Sequence, residues 1–91
     1  MREPDTNMDT AETTALRALT WVVAEEARTE RFLALTGIDP ATLRARAGDP
    51  AILGAVLAHL EQHEPDLIAC ADSLGIAPAA LIAARDMLDR A

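Results

Sequence analysis

Two histidines stand four residues apart, His59 and His63, in a stretch whose apolar spacing predicts a helix. On one helix that spacing puts both imidazoles on the same face, where they could ligate zinc with Cys70, Glu64 or Asp66 completing the set. A zinc-protease helix would need Glu directly after the first His, and Leu60 stands there. The simpler reading sets both histidines at the edge of the stripe Ile52, Val56 and Leu60, meeting solvent near the helix end, where a partly charged imidazole suits the helix dipole. No metal site and no cofactor is expected.

Nucleophiles are scarce. Cys70 lies between Ala69 and Ala71 and reads as a small buried hydrophobe rather than a reactive thiolate. Ser73 is the only serine, no glycine-rich nucleophile turn surrounds it, and the chain has no tyrosine. Neither a phosphate-binding loop nor a dinucleotide fingerprint is present. No catalytic residue is assigned, and the chain reads as a non-enzyme.

A third set points to nucleic acid. From Phe32 to Arg46 the order is short helix, Gly-Ile turn, then Pro-Ala-Thr-Leu opening a second helix, so Thr42, Arg44 and Arg46 could contact DNA as a helix-turn-helix does. Charge opposes this. Eight Arg, with no Lys, face fifteen Asp and Glu, a net charge of −7 that repels phosphate backbones and anionic membranes alike.

The elements that hold these residues are punctuated twice in the same way. Gly37-Ile38-Asp39-Pro40-Ala41-Thr42-Leu43 returns 38 residues later as Gly75-Ile76-Ala77-Pro78-Ala79-Ala80-Leu81. Gly closes a helix in the left-handed conformation, Ile packs back, and Pro presets the first turn of the next helix. The second copy offers only Ala79, Ala80, Ile82, Ala83 and Ala84 where a reading helix needs hydrogen-bonding side chains. Asp39-Pro40, Asp49-Pro50 and Glu64-Pro65 read as cap plus first turn, and Ala77-Pro78 as the same start without the acid. Gly48 and Gly75 are expected to close the helices before them.

These signals predict an all-α fold, a compact bundle of five or six short helices with two similar helix-turn-helix corners. Residues 1–9 read as a disordered acidic arm and 10–91 as a single helical domain, with Thr10 as the first N-cap. A first helix with the stripe Ala15, Leu16, Leu19, Val22 and Val23 should break around Ala24 to Ala27, because Glu26 would otherwise carry a carboxylate into the core. A second runs through Phe32 into Gly37. Four more run from about Pro40 to Ala47, Pro50 to His63, Pro65 to Leu74 and Pro78 to Arg90. The expected core is Leu16, Leu19, Val23, Phe32, Leu35, Leu43, Ile52, Val56, Leu60, Leu67, Leu74, Leu81 and Leu88, with Ile38 and Ile76 at equivalent corners.

No apolar run approaches the roughly 18 residues of a spanning helix, the start of the chain lacks a signal-peptide pattern, and one cysteine suits a reducing compartment. A cytoplasmic protein without membrane contact is expected. Apolar residues left over on the last helix, Ala79, Ile82 and Ala83, together with Trp21, suggest a surface for a protein partner or for self-association.

Ala15-Leu16-Arg17-Ala18-Leu19-Thr20-Trp21, then Arg31-Phe32-Leu33-Ala34-Leu35-Thr36-Gly37-Ile38-Asp39-Pro40 and the second Gly-Ile-x-Pro turn, resemble the short alphaproteobacterial domain-of-unknown-function family 3572 over about Ala15 to Leu88. Where that family commonly has an Asp-Pro-like break after the Trp helix, this chain has Glu25-Glu26-Ala27. The resemblance implies a small cytoplasmic bacterial protein with no assigned activity, so it transfers no functional residue. It also implies a regulatory interaction role, through a tendency of such proteins to be encoded near two-component response regulators.

Overall fold

Five prolines each stand in the first turn of a helix in the computed structural model, which describes the backbone of residues 4–90 and side chains from residue 9 onward. The described residues form six helices and no strand: α1 Pro4–Val23, α2 Glu26–Thr36, α3 Pro40–Ala45, α4 Pro50–Glu61, α5 Glu64–Leu74 and α6 Pro78–Asp89. The Cα radius of gyration is 12.6 Å, close to the ~12 Å of a compact chain of this length.

Residues 1–3 of the expected arm, and Ala91, lie outside the described residues. Residues 4–9 of that arm belong to α1, which opens on Pro4, a start that proline's preset φ favours. Thr10 therefore sits inside α1 and is not its cap.

α1, α4 and α6 pack on one another, α2 rests on α1 and α4, and α5 fills the side bounded by α1, α4 and α6. One continuous core results, containing Leu19, Phe32, Leu43, Ile52, Val56, Leu60, Leu67, Leu81 and Leu88 as the sequence predicts. Ile38 and Ile76 are both partly buried against it. Leu74 is only partly buried.

Three expected core residues are exposed. Leu16 and Val23 face outward because α1 meets its neighbours through Ala11, Ala15, Ala18, Leu19 and Val22. Alanines permit close helix approach, and their contact rotates the buried arc away from the larger side chains. Leu35 is 71% exposed: the ring of Phe32, with no exposure at all, fills the space between α2 and α4, and α2 ends one residue after Leu35 without any element covering it.

The α1–α2 break falls at Ala24 and Glu25, without Gly or Pro. Arg28 reaches back from α2 and donates to the Trp21 carbonyl through Nε (3.2 Å) and Nη2 (2.5 Å), and the Thr29 hydroxyl donates to the Val22 carbonyl at 3.3 Å. Side chains of the second helix thus satisfy carbonyls that α1 leaves open. Glu26 becomes the first residue of α2 and stays exposed.

Asp39 and Asp49 cap as expected: Asp39 accepts from the Ala41 and Thr42 amides, and Asp49 from the Ala51 amide. Glu64 does not. It is the first residue of α5, with His63 at the cap position and no side-chain cap bond, so its charge faces the helix dipole only. Gly48 does not close α3 either. Arg46 caps that helix, and among the described residues only Gly37 and Gly75 have positive φ.

Candidate functional site

α4 ends at Glu61, so His59 and His63 do not share a helix face. His59 is 7% exposed and meets the Phe32 ring edge-on, with centroids 5.2 Å apart. Burial, and then the nearby Arg31 guanidinium, pull its pKa below the usual imidazole value and favour the neutral ring. The expectation that His59 meets solvent with partial charge is thereby corrected: α2 packs over it. His63 is exposed at the start of α5, 4.0 Å from Asp66. Among the described residues no three His, Cys, Asp or Glu side chains group as a metal ion requires.

Cys70 is fully buried, and burial pushes its thiol up to about 11. A thiol held protonated in the core is a packing group, as its neighbours in sequence suggested. Ser73 is exposed on α5.

Trp21 is half-buried against the core, and the Arg28 guanidinium lies over its ring, 3.7 Å from the centroid. Arg28 also pairs with Glu25 at 3.1 Å. The indole therefore joins the α1–α2 joint, with one face stacked on a cation that simultaneously holds the end of α1.

Of the candidate DNA contacts Thr42 and Arg44 fall on α3, which has six residues and buries only Leu43, and Arg46 is its C-cap. Thr42 is committed to the cap, its hydroxyl donating to Asp39 at 2.7 Å and its amide to the same carboxylate. That hydroxyl bond, then the Ala41 and Thr42 amides, hold the Asp39 carboxyl below its usual range. Arg44 is exposed, and Arg46 lies 4.0 Å from Asp49. Arg44 on the helix and Arg46 at its C-cap, the latter beside Asp49, are the only cations this segment presents to a phosphate backbone.

On α6, Ala79, Ile82 and Ala83 are all exposed. Ala83 lines an apolar groove of about 270 Å³ between α1 and α6, with Thr10, Ala11, Thr14, Ala80, Ala84 and Met87. Ile82, one residue before it, points around the helix toward open solvent. An adjoining hollow continues along α1 past Thr13 and Arg17 to Ile76, so one seam runs from Met87 to the α5–α6 corner. The Arg17 guanidinium donates to the Leu74 carbonyl at 2.8 Å and pins that corner to α1. Of the candidate interface residues, Ala83 alone lines the seam, and Ala79, Ile82 and Trp21 are not part of its lining.

Two ion pairs and one apolar groove have no signature in the sequence. The Arg31–Asp66 pair ties α2 to α5, and Arg85 ties α6 to Glu61 of α4 at 3.1 Å. Both are long-range pairs with no periodic signature. Leu35 belongs to the groove: Thr36, Ala55, Ala58, His59 and Gln62 line it too, between α2 and α4.

No single helix among the described residues is long and apolar enough to cross a membrane. α5 and α6 reach that composition only as a pair bent by 100°, and α6 spends its Leu81, Ala84 and Leu88 on the core.

Residues 8–91 match the family described as Protein of unknown function (DUF3572), and the chain belongs to that family. No curated protein and no solved structure matches the chain.

Proposed function

Starting from that membership, we propose that the chain is a small non-enzymatic interaction module of the bacterial cytoplasm, which holds a helical segment of another protein along the seam between α1 and α6. The carrying observation is the apolar seam itself: Ala11, Ala80, Ala83, Ala84 and Met87 line it, with Thr10 and Thr14. Small floor residues suit the close approach of a second helix. A net charge of −7 favours a basic partner and speeds its encounter. The protonated core thiol of Cys70 and the ring-packed His59 support a role without chemistry of its own. A regulatory setting, in which the module blocks or relays a protein contact, fits these properties.

The test uses a photoreactive amino acid at position 83 in the native bacterium, compared with the same residue at position 45, between Arg44 and Arg46. A discrete protein adduct is expected at 83, lost when Ala80→Glu fills the seam. Adducts at neither position would remove the reading, and nucleic acid captured at 45 would replace it with DNA binding through α3.

A further inference from the structure

Where α2 meets α4 and α5, four titratable or charged groups converge from three helices and a cap. His59, on α4, is nine-tenths buried, with the Phe32 ring of α2 edge-on against it. Arg31, next to Phe32 on α2, pairs with Asp66 of α5, and its Nε is sealed from solvent without a partner. His63, at the cap of α5, lies 4.0 Å from the other oxygen of the same carboxylate. One carboxylate thus already serves two basic groups before His59 takes a proton. Among the described residues, α1 and α6 also pack on α4 but bring no charged group that acts on His59, and Glu61 of α4 is held by Arg85 of α6.

α2 can leave this arrangement without dismantling the rest. α1, α4 and α6 pack on one another, and α5 on all three, without it. Phe32 is its one buried side chain. It begins after Glu25 with no side-chain cap and ends on the left-handed Gly37, so a break at one end and a glycine at the other give it pivots.

We infer that α2 is an acid-released clamp, docked on α4 and α5 while His59 is neutral and let go as a unit, with the other core helices intact, once His59 carries a charge beneath it. A charged ring under Phe32 has no water around it and no carboxylate to itself, and it faces the Arg31 guanidinium. Two movements relieve it. Either the ring reaches solvent, which lifts Phe32, or Asp66 turns to the ring, which frees Arg31. Each breaks a hold of α2, and a charged His63 draws on the same carboxylate in the same sense. Burial, and then Arg31, keep the folded pKa of His59 below the 6.5 of a free imidazole, so the clamp is closed above pH 6.5 and opens as pH falls through the lower folded value.

Trp21 reports the position of α2, because the Arg28 guanidinium lies 3.7 Å from the centroid of the only indole in a chain without tyrosine. Trp21 emission, the NMR titration of the His59 ring and amide exchange corrected for intrinsic rates are followed on the full chain from about pH 8 to about pH 4.5. The emission should change in one step that coincides with the His59 titration and lies below pH 6.5. At the foot of that step the amides of α2 should exchange rapidly while those of α6 stay protected. His59→Phe should abolish the step and His63→Gln should retain it. The wild-type coincidence of emission and ring titration needs no variant, so it decides even where His59→Phe fails to fold. Constant emission across the range, a step that survives His59→Phe, or loss of the α2 and α6 protection at one common midpoint overturns the inference. α2 lines no part of the α1–α6 seam, so failure here and failure of the partner reading are told apart.

Discussion

At Gly37 and at Gly75 the chain turns on a left-handed glycine, with φ of 76° and 74°, and enters a helix through Pro, yet the two helices have little else in common. α3 has six residues and lies at the edge with Leu43 alone buried, whereas α6 has twelve residues and packs on α1, α4 and α5. The turns already differ in their bonds. At the second corner the Gly75 amide bonds to the Asp72 carbonyl and the Ile76 amide to the Ala71 carbonyl, the doubled pattern that closes a helix firmly. At the first corner Gly37 bonds once, to the Leu33 carbonyl, and the Ile38 amide turns to the Thr36 hydroxyl at 3.3 Å. α3 relies on the Asp39 cap, and α6 has no side-chain cap at all. A local phrase fixes a turn; the number of neighbours decides whether the next helix is a core element or an appendage.

Truncating matched leucines separates the two helices most strongly. Leu81→Ala, in α6, should cost about 4 kcal/mol in urea denaturation and Leu43→Ala, in α3, about 2 kcal/mol, because the looser site can relax around the lost side chain. Equal losses would place α3 in the core after all. Substituting the glycines should erase the difference. A Cβ at Gly37 or Gly75 meets nothing within 4 Å, so Gly37→Ala and Gly75→Ala each incur only the backbone penalty, about 1 kcal/mol, read in the same titration.

Two titrations follow in decreasing order. His59 binds its proton less readily folded than unfolded, so its share of stability is complete above about pH 6.5 and is lost as pH falls through the lower folded value. The urea midpoint should drop on acidification from about pH 7.5 to about pH 5, and His59→Phe should flatten that part of the profile. Asp39 shows the same sense at lower pH: its folded pKa lies under the ordinary 3.8, so the cap is fully effective above 3.8 and fails as pH falls through the depressed value. Amide exchange of Ala41 and Thr42 should quicken there, and in Asp39→Ala it should be quick at every pH.

Helix number and most boundaries were legible because Pro and Gly act locally, through φ and a missing or misplaced N–H. The α1–α2 break was legible through Glu26, which the core could not accept. Which face each helix buries was less so. Reading α1 by its larger side chains put Leu16 and Val23 inside, while the observed arc is centred on Ala11, Ala15 and Ala18, whose importance lies in how closely they let another helix approach. Leu35 had the period of a core residue, and only the end of α2 leaves it bare. The candidate surfaces divided likewise: Ala83 lines a groove, Ala79 and Ile82 are exposed outside its lining, and Trp21 is bound into a joint by Arg28, seven residues away across a break where helical spacing rules do not reach. The burial of His59 under Phe32 carries no sequence signal, since it depends on α2 crossing α4.

Native-state hydrogen exchange of α3 and α6 in one sample reads whether α6 is a core element and α3 an appendage. The buried-face amides of α6 should exchange only with global unfolding and respond steeply to denaturant, while those of α3 open locally, at far lower free energy and with little denaturant dependence. Equal protection and equal denaturant sensitivity in the two helices would contradict the account.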